Sequence, residues 1–552
     1  MNDPIPESCC ANPPRRRWAQ RLLVGGLIAV HFFLAIGSAC LKSPTSDEYT
    51  YISTGYIYLT TWDFRLDRTQ PPLIRLLIGL PLAFYHPWMP PLHEEKWDAP
   101  ESYELGYRLG FEMLLFGQNR WQSVLLLARL PIMLLSCALA LLVYRWARDL
   151  YGEAGGVASL FLYCFCPNML AHGRLATMDL GLAFFFIAAL YAFYLYSKNR
   201  TKRRLALTGV LLGLALGAKV TALLLLPLLC GLLAWLSYEN HRRQWKNIAA
   251  DYAQSAAILL LCAFAALLLL YGYPFRPFYF WDTLSNVFYK SLHTGRASEA
   301  IPGMPHLNYA FYLFGHYSTH GWPYYYAAAM LVKTPTAVFL ALLLVLALAR
   351  RKWLGWPDAV LVFAFFLIHI AAAFNRVNIG LRHILPIYPL LYMYLGRIVE
   401  IKPNVLRKYG LAALAFWYFW TTISIYPDYL AYFNEICGGP ERGQFYLDDS
   451  NIDWGEDLSR LSEFQKRYPN EPFYVAVNWM FDPKAFGVAA QSLKLEQIPS
   501  PPLGIAAVGK HWAIRQRVQK RSPYYFDWLE KYRPIGQIGH SILLYRFEKA
   551  ER

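Results

Sequence analysis

Runs of apolar residues long enough to cross a bilayer recur along this chain, and that pattern alone excludes most folds. They fall at roughly 21–41, 122–143, 154–172, 175–196, 205–218, 220–238, 255–273, 325–349, 357–374, 383–399 and 410–427. A crossing helix needs about 20 apolar residues, so the expectation is a polytopic α-helical membrane protein with about 11 transmembrane helices. The stretch 205–238 reads as two short spans or one long bent one, with Lys219 between the halves. Only 16% of residues are charged while 56% are hydrophobic, a balance foreign to soluble enzymes. The net charge of +16 would suggest nucleic acid in a soluble chain. Here the basic residues sit in short stretches between apolar runs, so nucleic-acid binding is not expected.

Those basic clusters set an orientation. They occur at Arg15–Arg17, Arg145/Arg148, Lys198–Arg204, Arg242/Arg243/Lys246, Arg350–Lys352 and Arg397–Lys408. With eleven spans, and 205–238 counted as two, every cluster falls on the side of the N-terminus, which the positive-inside rule makes cytoplasmic. The first run is longer than a signal-peptide core and lacks a small-x-small cleavage site, so it reads as an uncleaved helix. Three regions then lie outside: 42–121, 274–324 and 428–552. The first contains Tyr49–Leu59 and Pro71–Tyr85, stretches suited to helices lying along the interface. The third combines a helical stretch, Gly455–Arg467, with strand-like runs, Phe473–Val477 and Ile542–Phe547. A membrane domain over 1–427 and a small extracytoplasmic α/β domain over 428–552 are therefore expected. Of the nine cysteines, six lie in apolar segments as small hydrophobes, and no zinc spacing or disulfide framework is visible.

Asp47 and Glu48 follow shortly after the first run, where a membrane helix emerges into water. Carboxylates there are functional-site candidates. The alternative is a solvated helix start capped by Ser46. Asp179 falls inside an apolar stretch and needs a partner, for which Arg174 is near in sequence. The alternative is an internal ion pair that fixes the turn between two helices. Lys219, Arg276, His293, His316, His320, Arg376, Arg382 and His383 all map to the same outer side. Carboxylates can act as general bases while cations hold a phosphate, although snorkelling and lipid contact also explain single basic residues.

Several motifs recur in order across most of the chain. They are Asp47-Glu48-Tyr49 with Gly55, Pro71-Pro72-Leu73, Ala171-His172-Gly173-Arg174 followed by Asp179, and Val332-Lys333-Thr334-Pro335. Then come Asn378 to Pro389 with Gly380, Arg382 and His383, Tyr426-Pro427, Tyr432-Phe433-Asn434-Glu435, Gly438-Gly439-Pro440, and Asp449 to Leu458. In these the chain resembles the bacterial members of glycosyltransferase family 39, related to protein O-mannosyltransferases and to the aminoarabinose transferase of lipid A. The resemblance implies a GT-C fold and an inverting transfer of sugar from a polyprenyl-phosphate donor to a glycan, lipid or protein acceptor at the outer face of a bacterial inner membrane. It implies that Asp47 deprotonates the acceptor, that Glu48 binds the acceptor or orients the base, and that Asp179 is the second acid of the site. The donor phosphate would be held by Arg68, Arg174, Arg382 and His383. Relatives often carry His or Lys just before the Pro-Pro pair, where this chain has Gln70. That leaves Arg68, Arg75, Arg382 and His383 to take the phosphate. No cofactor is evident and no metal ligands are assigned; the lipid-phosphate leaving group does not demand a metal, and dependence on a divalent ion stays open.

Asp449, Asn451 and Asp453 mimic the start of a calcium-binding EF-hand loop. Trp454 at the sixth position and Arg460 at the twelfth rule it out. A turn into a helix with Asp453 and Glu456 as capping box is expected instead. A transporter or flippase for a lipid-linked saccharide is the alternative function. It would call for broken helices near the midplane and an internal repeat, and no repeat is visible.

Overall fold

The structure, a computed structural model, describes residues 14–97, 102–241, 244–272, 281–285, 311–348, 355–401, 404–477, 482–493, 501–518 and 528–548. Arg276 and His293 lie outside these residues. The chain is a multi-pass helical protein followed by a small mixed sheet.

Among the described residues, five helical segments are long and apolar enough to cross a membrane: Trp18–Cys40, Trp121–Cys164, Met178–Lys198, Val220–His241 and Trp245–Tyr271. A sixth arises if the bent pair Tyr325–Lys333 and Thr336–Ala347 counts as one span. The hydropathy runs and the helices do not share all their boundaries, and the reasons are local. The runs 122–143 and 154–172 fall within α5 (Trp121–Cys164) on either side of a kink at Gly152, and Pro167 cuts the second run by opening a short helix, α6 (Pro167–Gly173). Thr334-Pro335 breaks the run 325–349 with a bend of 101°, because Pro removes a helical donor and disfavours helix at the residue before it. The run 383–399 yields only the nine-residue helix Ile387–Leu395 between two 3-10 turns. The break at Lys219 occurs as expected, in extended backbone between α8 (Lys202–Ala218) and a 3-10 turn leading into α9 (Leu225–His241).

Helix α5 has 44 residues. It is two helices joined at a kink: a Cβ on Gly156 would come within 2.9 Å of the Tyr144 carbonyl oxygen, so the chain turns back on itself. Gly152, at φ 75°, interrupts its helical backbone, a conformation glycine adopts without steric cost.

The stretches expected to lie on the interface form α2 (Ser46–Thr61) and α3 (Leu73–Tyr85). They are more deeply packed than interfacial helices. Tyr49, Ile52, Ile57 and Tyr58 of α2 and Ile74 and Ile78 of α3 are all buried. The two helices touch through Gly55 and Gly79. A Cβ on Gly55 would come within 2.3 Å of the Arg75 carbonyl oxygen, and one on Gly79 within 2.3 Å of the Gly55 carbonyl oxygen.

The C-terminal sheet is built from β1 (Phe473–Ala476), β2 (Gln491–Ser492), β3 (Gly504–Gly509), β4 (Gly536–Ile538) and β5 (Ile542–Phe547), in the order β2-β1-β3-β5-β4. Strand β1 runs parallel to β2 and β3, whereas β5 is antiparallel to β3 and β4. The first and last strands of this sheet with strong apolar patterning fall where the sequence placed them. The segment between residue 428 and the sheet packs against the membrane helices. Lys42 Nζ lies 2.5 Å from Asp428 Oδ1 and 2.7 Å from Asp457 Oδ1, and the Ser43 N–H donates to the Glu456 carbonyl at 2.8 Å. The expected boundary at 427/428 therefore precedes chain that is part of the helical core. The helix after the acidic segment runs Leu458–Gln465 with Asp457 as its N-cap residue. Asp453 and Glu456 do not form the expected capping box. They accept the N–H groups of Gly455 and Trp454 instead.

Candidate active site

The site is assembled from helix ends. Asp47 is the second residue of α2, and Asp179 is the second residue of α7 (Met178–Lys198). Both carboxylates thus sit where unpaired N–H groups and the helix dipole favour negative charge. Arg382 stands between them. Its Nη1 lies 2.8 Å from Asp47 Oδ2 and 3.6 Å from Asp179 Oδ2. Lys219, in the extended break after α8, places Nζ 2.5 Å from Asp179 Oδ1. A chain of alternating charge, Asp47–Arg382–Asp179–Lys219, results. The His383 ring stacks with Tyr326 at 6.0 Å and lies within electrostatic reach of Asp179, Lys219 and Arg382.

Arg382 belongs to the 3-10 turn Leu381–Ile384. The segment 448–457 holds that turn in place. Asn451 Oδ1 accepts the Leu381 N–H at 3.0 Å, and Ser450 Oγ donates to the Ile379 carbonyl at 3.0 Å. Gly380 admits this contact because a Cβ there would come within 2.2 Å of Ser450 Oγ. Lys333, from the Val-Lys-Thr-Pro motif, ties the same segment down by donating to the Leu430 and Asn451 carbonyls, each at 2.6 Å. The Arg382 guanidinium lies over the Trp454 ring, 4.3 Å from its centroid.

Burial pushes the Asp47 carboxyl above the usual aspartate range. Arg382 opposes that rise, and the charges of Asp179 and Asp449 add to it. A carboxylate raised in this way is a stronger proton acceptor than an ordinary surface aspartate. Arg382 is also buried, but Asp47 and Asp179 more than offset the cost and hold it charged.

Glu48 behaves differently. Both of its oxygens are engaged by Arg129, Nε to Oε1 at 2.8 Å and Nη2 to Oε2 at 2.7 Å. Oε2 also accepts the Thr45 N–H at 2.8 Å, and Oε1 the Ala176 N–H at 2.8 Å. Thr45, not Ser46, is the N-cap residue of α2. Burial works against the Glu48 charge, but Arg129 and the backbone donors hold its carboxyl below the usual value. Glu48 thereby links the Asp47 helix, α5 and the loop preceding Asp179.

Of the residues expected at the site, Asp47, Asp179, Arg382 and His383 come together. Arg68 does not join them and pairs with Asp282 at 3.2 Å. Arg174 is not the partner of Asp179, which takes Lys219 and Arg382. Its three guanidinium nitrogens are buried with no hydrogen-bond partner among the described residues. Arg75 is locked to Asp67 in a fully buried pair at 2.6 Å, so it cannot substitute for the cation missing at Gln70. Sequence reasoning missed Arg129 and Trp454 and saw Lys219 only as one of many outer cations. Arg129 carried a usable signal, a charge inside the apolar run 122–143. Trp454 carried none beyond its place in a motif.

Fold and site define a multi-pass membrane protein with an ion-paired polar centre gathered at helix ends. Residues 105–269 match the family model described as dolichyl-phosphate-mannose-protein mannosyltransferase, which bears out the family resemblance read from the motifs. The matched stretch contains Arg129, Asp179 and Lys219, and it excludes Asp47 and Arg382. No curated protein sequence matches the chain. Among solved structures, ArnT from Cupriavidus metallidurans in the apo state is 12% identical, with 96% of this chain and 98% of that one covered at a TM-score of 0.47. The S. cerevisiae protein O-mannosyltransferase Pmt1-Pmt2 complex bound to the sugar donor is 19% identical, with 49% and 34% covered at 0.36. The oligosaccharyltransferase AglB from Archaeoglobus fulgidus is 12% identical, with 87% and 65% covered at 0.44.

Proposed function

We propose that this chain is an inverting glycosyltransferase that moves a sugar from a polyprenyl-phosphate donor to an acceptor hydroxyl or amine. The observation that carries the reading is the Asp47–Arg382–Asp179–Lys219 chain of charge. It puts a partly exposed carboxylate with a raised proton affinity beside cations suited to a phosphate. Asp47 takes the acceptor proton, the acceptor attacks the anomeric carbon, and the bond to the lipid phosphate breaks. The departing phosphate is stabilised by Arg382, with Lys219 and His383 adjacent. Asp179 keeps both cations in position. Glu48 acts through Arg129 as a positioning residue and does not touch the acceptor. The site faces the extracytoplasmic side of a bacterial inner membrane, with the N-terminus cytoplasmic and the 428–552 region outside. Asp47 and Asp179 lie at helix starts, and no internal repeat is visible in the sequence, which favours transfer over transport.

Mass spectrometry of membrane glycoconjugates tests this reading in cells carrying the wild-type protein or Asp47→Asn. Loss of one glycoform with Asp47→Asn, at unchanged protein level, supports it. An unchanged glycoconjugate profile removes Asp47 as the base.

A further inference from the structure

We infer that Trp454 is a positioning residue for the phosphate-binding arginine, so that the segment after the last membrane helix sets the geometry of the reaction centre. The inference rests on the proposed function and adds a residue to that site.

Arg382 is held unevenly. One nitrogen, Nη1, faces both Asp47 and Asp179. Nε, on another edge, is buried with no hydrogen-bond partner among the described residues. Hydrogen bonds alone therefore do not fix the guanidinium plane. The Trp454 ring, 4.3 Å from the guanidinium carbon, covers one face of it. Stacking leaves the in-plane edges free, the edges through which arginine binds phosphate.

The Trp454 backbone is anchored on both sides. Its backbone N–H donates to Glu456 Oε2 at 2.7 Å, and its carbonyl accepts the Ser46 backbone N–H at 3.3 Å. Ser46 directly precedes Asp47, so one residue contacts both the helix start bearing the base and the cation opposite it. Its side chain belongs to the same buried hydrophobic cluster as Ala35, Leu170, Leu175 and Tyr429, which makes simple space filling the rival explanation.

A double-mutant cycle on the purified full-length protein separates the two. The readout is saturation binding of radiolabelled undecaprenyl phosphate, with melting temperature measured in parallel. Arg382→Ala and Trp454→Leu are each expected to weaken binding about tenfold, and Trp454→Phe, which keeps an aromatic face, no more than about threefold. The pair Arg382→Ala with Trp454→Leu is expected to bind no more weakly than Arg382→Ala alone. Trp454→Met serves as a second apolar variant where Trp454→Leu does not fold. Losses that multiply, or a Trp454→Leu protein that binds like wild type while Arg382→Ala does not, overturn the inference. Wild-type binding by Arg382→Ala overturns the phosphate role itself, which is a failure of the proposed function.

Discussion

Arg129 grips Glu48 through two parallel hydrogen bonds, 2.8 Å and 2.7 Å long, and both side chains are fully buried. The planar guanidinium matches a carboxylate in this geometry and resists rotation. The remaining Arg129 donors reach the Ala39, Lys42 and Ser43 carbonyls. A single pair thus closes the end of the first helix, the start of α2 and the loop before Asp179 onto α5.

Breaking that pair should be costly. Glu48→Gln leaves Arg129 buried without its counter-charge and should lower stability by about 3–5 kcal/mol, read as a fall in melting temperature. The carboxyl of Glu48 titrates below its ordinary value of 4.5. Its contribution is therefore complete above that pH and disappears as pH falls through the folded-state value. Melting curves in acid should show the wild type approaching Glu48→Gln. Parallel curves at every pH would contradict the assignment.

Turnover should depend on unprotonated Asp47. Its carboxyl lies above the usual 3.8, so the acid limb of the pH–rate profile should have a midpoint above that value. Arg382→Gln removes the cation that lowers this carboxyl, and the limb should move to higher pH. Initial rates across pH for both proteins check the direction of the shift.

The α2–α3 crossing predicts a contrast between glycines. Gly79→Ala forces a methyl against the Gly55 backbone and should destabilise by about 1–3 kcal/mol. Gly231→Ala, with nothing within 4 Å of its Cβ, should be neutral or stabilise by up to about 1 kcal/mol. Thermal unfolding in one detergent compares them directly.

Lys42 joins Asp428 and Asp457 beneath the C-terminal segment. Lys42→Met should loosen that attachment by no more than about 3 kcal/mol, since Arg460 still lies 2.6 Å from Asp428 and 3.1 Å from Asp457. Limited proteolysis should then cut first between residues 428 and 457, where the wild type resists.

Much of this was legible in the sequence, for reasons that differ by residue. Asp47 and Asp179 stood out because a carboxylate beside apolar helices is rare and needs a partner. The strand Ile542–Phe547 and the break at Lys219 followed from local patterning. The partners were another matter. Arg174 is five residues from Asp179, yet Lys219 and Arg382 hold that carboxylate from 40 and 203 positions away, and no local rule connects them. Glu48 looked identical in kind to Asp47. Adjacent helix residues point about 100° apart, so one faces the polar centre and the other faces Arg129. Pro167 and Pro335 cut hydropathy runs that composition alone left continuous.

The ring that covers Arg382 belongs to chain made after the last membrane helix. A ribosome finishes every membrane segment before it reaches residue 454. Until then the nascent protein already holds Asp47, Asp179, Lys219 and Arg382 without the piece that orders them. If Trp454 orders Arg382 as inferred, the donor site is completed late in synthesis, and a chain ending before residue 454 should insert yet bind the donor less tightly than the full protein.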